Sequence, residues 1–278
     1  MSQVPNQALP KYRFDWKGAA ALFFGGFVPA MALSIINVLM MMLFKVNYQF
    51  ETWYMVLLNL VMWSGAILSF DYFICRPQTG KHLRFNFSTK NLSTYLLVFP
   101  LMLGVIFIAE FFTSLIPISG PVFGPLYEYF SEMMEQLTSS LWGMILMAVL
   151  MAPVFEEIVF RGIIQKGLIN RGYSAKAAIW IAAFLFGLVH ANPWQFVGAV
   201  LLGAAIGYVY ERTKSLFLAI LLHMFNNALA AVLIYVGGTE SFADYFGISV
   251  YLLLALGLVL LGVFYYLFTY KYEIHHSE

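Results

Sequence analysis

Residues 141–170 read LWGMILMAVLMAPVFEEIVFRGIIQKGLIN, an apolar stretch that carries Glu156, Glu157 and Arg161 in its middle. About 20 predominantly apolar residues are enough to cross the hydrocarbon core of a bilayer as a helix. An ionisable residue deep in such a helix costs at least ~2.5–3.5 kcal/mol on insertion scales. The stretch therefore predicts a membrane span, and with it a partner or a wet cavity for its charges.

Working outward, comparable runs occupy 19–44, 54–75, 95–115, 175–190, 194–210, 216–236 and 248–270, with 141–169 for the quoted stretch. The expected fold is all-α: a polytopic transmembrane helical bundle of about eight spans. It is read as a single membrane domain over 1–278 with a motif-bearing core at 141–236. The 278 residues are 62% hydrophobic and 10% charged, with mean hydropathy +0.80, whereas soluble domains average roughly 25% charged. A net charge of +1 offers no basic surface to nucleic acid. The single cysteine, Cys75, excludes an intrachain disulfide framework and a multi-Cys metal site, and reads as a buried thiol. A polar start followed by a long apolar run predicts no cleavable signal peptide.

Charge segregation sets the expected orientation. With the N-terminus inside, fourteen of the fifteen Lys and Arg residues fall on the cytoplasmic side and only Lys45 lies opposite. The opposite loops carry Glu51, Glu128, Glu132, Glu135, Glu240 and Asp244. Both termini are expected in the cytoplasm, on an integral multi-pass protein of the cell membrane in a prokaryote or the endoplasmic reticulum in a eukaryote. The long outer connection, 116–140, starts with turn formers Pro117, Gly120, Pro121, Gly124 and Pro125. Its segment 126–137 suits a short amphipathic helix at the interface. Trp16, Trp53, Trp142 and Trp194 fall near span ends and are expected to anchor there.

Three polar patterns lie inside spans: Glu156-Glu157-x-x-x-Arg161, Phe186-x-x-x-His190 and His223-x-x-x-Asn227. Neighbouring helix residues diverge by about 100°, so Glu156 and Glu157 cannot point the same way. Glu157 and Arg161, at i and i+4, share a face and can pair, which frees Glu156 to face elsewhere. Counting 1.5 Å per residue from the cytoplasmic ends puts Glu156 at ~21 Å, His190 at ~24 Å, His223 at ~14 Å and Asn227 at ~20 Å. Four polar side chains from three helices thus reach a similar level.

In that order on successive hydrophobic segments, the motifs resemble the CAAX-processing and bacteriocin-processing membrane protease family (CPBP or Abi), which includes the Ras-converting endopeptidases. The resemblance covers residues 156–227 and implies an intramembrane endopeptidase in which a glutamate activates water. On that resemblance Glu156 would be the general base, His190 would help hold the water, and His223 with Asn227 would form the oxyanion pocket. Glu157, Arg161, Phe186 and Asn226 would support them. The chemistry suits the residue types: a carboxylate withdrawn from bulk water is a stronger base, and a carboxamide donates without needing a counter-charge. No cofactor is expected. Zinc held by two Glu and two His is the alternative, but the His-Glu-x-x-His helix signature is absent. The expected partners are membrane lipid and a hydrophobic or prenylated peptide, arriving from the cytoplasmic leaflet.

Other readings use the same residues. A non-catalytic scaffold or immunity protein of this fold would keep Glu157–Arg161 as a buried ion pair, and a proton-coupled transporter would use buried Glu and His as a relay. The internal repeats typical of transporters are not evident. Pro153 is expected to loosen the helix one turn before the glutamates. Asp71 is expected to snorkel and Glu110 to make a helix-pairing contact. Gly198, Gly203 and Gly207 are expected to let helices pack closely.

Overall fold

The computed structural model describes residues 11–49 and 51–274, and among these the secondary structure is entirely helical. The two termini, expected on one side of the membrane, lie outside the described residues. Ten helices follow one another: α1 (Trp16–Phe44), α2 (Thr52–Thr79), α3 (Leu92–Ser114), α4 (Phe123–Thr138) and α5 (Leu141–Arg171). Then come α6 (Ala175–Leu188), α7 (Pro193–Thr213), α8 (Leu216–Gly237), α9 (Phe242–Phe246) and α10 (Val250–Ile274). Seven of them, all except α4, α6 and α9, are long and apolar enough to cross a membrane. The chain is an integral, multi-pass membrane protein.

The chain divides into two compact units. The first comprises residues up to Phe85 together with Lys166–Ser174, which holds the last turn of α5. Here α1 and α2 form an antiparallel pair. The Asp15 side chain caps α1 by accepting from the N–H groups of Lys17 and Gly18, which satisfies donors that a helix start leaves free. Asp71 does not snorkel. Its buried carboxylate accepts from Arg76 Nε at 2.8 Å and the Leu83 N–H at 2.6 Å, with His82 Nδ1 at 3.0 Å. Those three residues follow Asp71 in the chain, so the carboxylate folds the chain after α2 back onto itself instead of reaching for water. Cys75 is buried nearby.

The second unit, Asn86–Gln165 and Ala175–Glu278, holds all three polar motifs. Its helices α3 and α10 cross where Gly104 meets Gly257. A methyl on Gly104 would come within 2.8 Å of the Gly257 carbonyl, so only glycine admits this approach. At one end of the unit, Asn86 donates to the Lys214 carbonyl and accepts through its own carbonyl from the Leu216 N–H. Lys271 reaches Ser93 and Thr94 at the same end. At the other end Thr113 donates to the Trp194 carbonyl and Tyr235 to that of Thr138.

This second end is built around a helix that is too short. The 14 residues of α6 rise about 21 Å, less than the ~30 Å hydrocarbon core. The turn into α7 therefore sits below the level of the other helix ends. Irregular backbone at such depth needs internal partners. Ala191 adopts φ 56° there. Asn192 caps α7 by accepting from the Gln195 N–H at 2.8 Å and donates to the His190 carbonyl at 2.9 Å, and Pro193 opens the helix where no N–H is needed. The amphipathic helix expected in the outer connection is α4. Its inner stripe packs Phe130 and Tyr127 on Trp194, with ring centroids 5.7 and 5.0 Å apart. Trp194 is consequently buried and is not an interface anchor. Trp16, Trp53 and Trp142 remain largely exposed, as anchors would be.

Candidate active site

Helix α5 is wound loosely on both sides of the glutamates, with π-helical turns at Ile145–Met151 and Ile158–Gln165. The first has an identifiable cause. The Ala152 N–H bonds five residues back to Met147, so the next carbonyl, Ala148, would await an N–H from residue 153. Residue 153 is proline and has none. The freed carbonyl is taken by Asn227 of α8, whose Nδ2 donates to Ala148 at 2.7 Å. Pro153 thus opens the ladder one turn before Glu156, and an orphaned carbonyl positions Asn227. Asn226 donates to Asn227 Oδ1 at 2.9 Å, which fixes the orientation of the amide.

The two glutamates have separate surroundings. Glu157 is fully buried and accepts from Arg161 Nη1 at 2.8 Å, with His223 Nδ1 also at 2.8 Å from the same oxygen. Arg161 donates a second bond, from Nη2 to the Gly203 carbonyl at 2.8 Å, and its guanidinium lies 5.0 Å from the Phe186 ring centroid. One turn on, Gln165 Nε2 donates to the Gly207 carbonyl at 2.9 Å. Arg161 and Gln165 of α5 thus bond the backbone of α7 one turn apart, with Glu157 holding Arg161 from the turn before. A Cβ at Gly203 would lie 3.3 Å from Arg161 Nη2, and one at Gly207 would lie 2.7 Å from Gln165 Oε1. Gly203 also lets α6 come close, with the Ala183 backbone 3.3 Å from such a Cβ, while at Gly207 the amide of Gln165 takes the space. Gly198 has no such close neighbour.

Glu156 points the other way, into a cavity of about 340 Å³ that His190, His223, Asn226 and Asn227 also line. The His223 ring stands beside it, with Nε2 3.8 Å from the Glu156 carboxylate, beyond hydrogen-bond reach. His223 stands between the two glutamates with Nδ1 on Glu157, so its Nε2 faces Glu156. His190 Nδ1 lies 2.8 Å from the Phe186 carbonyl. A carbonyl can only accept, so Nδ1 carries a proton, and in the neutral ring Nε2 keeps its lone pair. Phe186 is more than filler: it lies under Arg161 and meets both histidine rings edge to face, with centroids 5.0 and 5.5 Å away.

All four residues expected to carry the chemistry therefore line one cavity, and Glu157, Arg161, Phe186 and Asn226 each touch one of them or one another. Sequence reading missed Gln165, Ala148 and Gln195. Gln165 was findable, since it continues the i, i+4 series from Glu157 and Arg161. Gln195, which also lines the cavity, accepts from Asn192 Nδ2 at 2.7 Å. Glu110 lies elsewhere and caps α9. It accepts from the Ser241 hydroxyl at 2.7 Å and the N–H groups of Phe242 and Ala243 at 3.0 Å each, so it serves a helix start rather than pairing two spans. Among the described residues no three His, Cys, Asp or Glu side chains are grouped so as to hold a metal ion. Glu157 bonds Arg161 and His223 through one of its two oxygens.

The cavity extends toward one end of the unit. Its lining includes Met134 and Leu137 of α4, Gln195 at the start of α7 and Ile234 at the end of α8. A second cavity of about 720 Å³, lined by residues 113–119, shares Met134, Gln195, Ala230 and Ile234 with it.

Residues 138–229 match a family model described as "Type II CAAX prenyl endopeptidase Rce1-like". The chain is 30% identical to the UPF0177 protein YaiF of Lactococcus lactis subsp. lactis (strain IL1403) over 49% of its own length and 62% of that protein. It is 29% identical to "Putative membrane peptidase YdiL" of Bacillus subtilis (strain 168) over 32% of its own length and 36% of that protein. It therefore spans less than two thirds of either relative. No solved structure matches it. Residues 138–229, which hold all three polar motifs, are thus similar to the Rce1-like CAAX endopeptidases.

Proposed function

We propose that the chain is an intramembrane endopeptidase that hydrolyses a peptide bond in a hydrophobic or lipid-modified substrate, with Glu156 activating the water. The observation that carries this reading is the contrast within one dipeptide. Glu157 is held by Arg161 and His223, both on one of its oxygens, while Glu156 faces the cavity with no hydrogen-bond partner among the described residues.

A water between Glu156 and His190 Nε2 would meet two acceptors, which leaves its oxygen lone pair for the scissile carbonyl. Attack forms the new C–O bond as Glu156 takes the proton. The oxyanion is stabilised by donors aimed at it: the Asn227 amide hydrogen not used on Ala148, and His223 Nε2 once it carries a proton. Glu157 would stabilise that protonated form from the Nδ1 side, as the carboxylate of a carboxylate–histidine pair does. Collapse breaks the C–N bond, and the proton held by Glu156 passes to the leaving amine. No metal takes part. The scheme keeps the expected roles and adds Glu157 as the group that orients His223.

The substrate would enter past α4. The shared wall of Met134, Gln195 and Ile234 is the path supported by the two adjoining cavities. With the Lys and Arg segregation read as orientation, that end is the non-cytoplasmic one. A peptide presented from the outer leaflet fits better than one from the cytoplasm, which reverses the direction inferred from depth alone.

The test is to reconstitute purified protein in liposomes and add a hydrophobic reporter peptide, farnesylated or not, to one side at a time, with and without chelator. The reading expects chelator-insensitive cleavage when the peptide meets the α4 side and none from Glu156→Ala. Cleavage by Glu156→Ala, or its loss on chelation, overturns the mechanism.

A further inference from the structure

A second groove lies away from the Glu156 cavity, between the ends of α6, α7 and α10. It holds about 770 Å³, and its rim carries three cations, Lys176, Arg212 and Lys214, against one carboxylate, Glu211. Lys214 already pairs with Glu211. Lys176 is exposed, and among the described residues neither it nor Arg212 is paired with an acid. Arg212 is held in place by its own helix, its guanidinium 5.5 Å from the centroid of the Tyr208 ring, an arrangement worth more as water is excluded. Two unpaired cations thus sit at the mouth of a largely apolar groove.

The groove continues. Tyr208 and Tyr265 also line a cavity of about 360 Å³ between α3, α7 and α10, whose remaining walls are aliphatic and include Leu201, Ala205 and Leu261. At Gly262 a side chain would meet nothing within 4 Å, so the space there is open. From Lys214 to Leu201 the distance along α7 is about 20 Å at 1.5 Å per residue, reaching just past the middle of a hydrocarbon core ~30 Å thick. The feature has a cationic end at the helix termini, aromatic shoulders at Tyr208, Tyr265 and the half-exposed Trp180, and an apolar trough one leaflet deep. Those are the charge, amphipathicity and length of one kind of molecule.

We propose that this groove binds one anionic phospholipid of the leaflet facing the Lys- and Arg-rich ends. Its phosphate would lie between Lys176 and Arg212, and an acyl chain would lie past Tyr208 toward Leu201 and Gly262. Basic pockets between helices on the cytoplasmic side bind acidic headgroups for the same reason. A soluble anion would use the cations but not the trough, and a neutral lipid the trough but not the cations.

The experiment is native mass spectrometry of the full chain released from mixed bilayers of phosphatidylglycerol and phosphatidylcholine, alongside Lys176→Gln/Arg212→Gln and Gly262→Phe. The wild type should carry one phosphatidylglycerol in preference to phosphatidylcholine. The double variant should lose that preference by about 25-fold, at roughly fivefold per cation near a membrane surface. Gly262→Phe, which fills the trough and leaves the charges, should lose bound lipid of both kinds. Added glycerol phosphate should displace nothing. Equal binding of the two lipids by the wild type, an unchanged preference in the double variant, or displacement by glycerol phosphate would overturn the assignment. Each of these readings is independent of whether the protein cleaves peptides.

Discussion

The Asp71 node of the first unit and the Glu156 cavity of the second are both built on a carboxylate in a membrane-spanning helix, yet they are finished differently. Asp71 is surrounded by partners that follow it in the chain, and its oxygens meet Arg76, His82 and the Leu83 N–H. Glu156 draws its neighbours from other helices, and none of them is within hydrogen-bond distance. An acid bonded to fixed donors holds structure, while one left unbonded beside a cavity is available for chemistry. Glu157 and Glu110 fall with Asp71, and Glu156 stands apart. The distinction is between acids that hold hydrogen bonds and one that holds none, not between buried and exposed ones.

The largest effect that could break this comparison belongs to Glu157. Glu157→Ala leaves Arg161 buried without its counter-charge and should destabilise the fold by about 3–5 kcal/mol. Thermal unfolding in detergent would register it, and an unchanged melting temperature would remove Glu157 from the structural class. Next is Gly207→Ala, which forces a methyl toward the amide oxygen of Gln165. About 1–3 kcal/mol is expected from overpacking, and a Gly207→Ala/Gln165→Ala double variant should recover part of it if the clash is the cause. The smallest is Glu110→Ala. Removing an acceptor from the start of α9 should cost about 0.5–2 kcal/mol, seen as faster amide exchange at Phe242 and Ala243 while cleavage by the folded protein is unchanged. Loss of cleavage there would move Glu110 to the side of Glu156.

Much of this was legible in the sequence because bilayers impose simple rules. Apolar run length gave the spans, and i, i+4 spacing put Glu157 with Arg161 and left Glu156 turned away. What periodicity cannot supply is the partner on the other helix. Trp194 looked like an interfacial anchor because indoles gather at span ends, but α6 is too short to bring that end to the surface and α4 covers it. Asp71 looked able to snorkel because it lies near a helix end, but the chain after α2 returns to bury it. The glycines of α7 suggested close helix packing, which Gly203 provides against Ala183 of α6, but not that Gly203 and Gly207 also make room for Arg161 and Gln165. Pro153 signalled a weakened helix; that the freed carbonyl would hold Asn227 depends on a residue 79 positions away.

One side-by-side measurement reaches the centre of this account: cleavage rate per folded molecule together with melting temperature for Glu156→Gln and Glu157→Gln. Removing a general base should lower the Glu156→Gln rate by about 10²–10⁴-fold while its melting temperature stays at that of the wild type, and Glu157→Gln should melt early. A Glu156→Gln protein that still cleaves, or that unfolds as readily as its neighbour, would contradict the division of labour between the two glutamates.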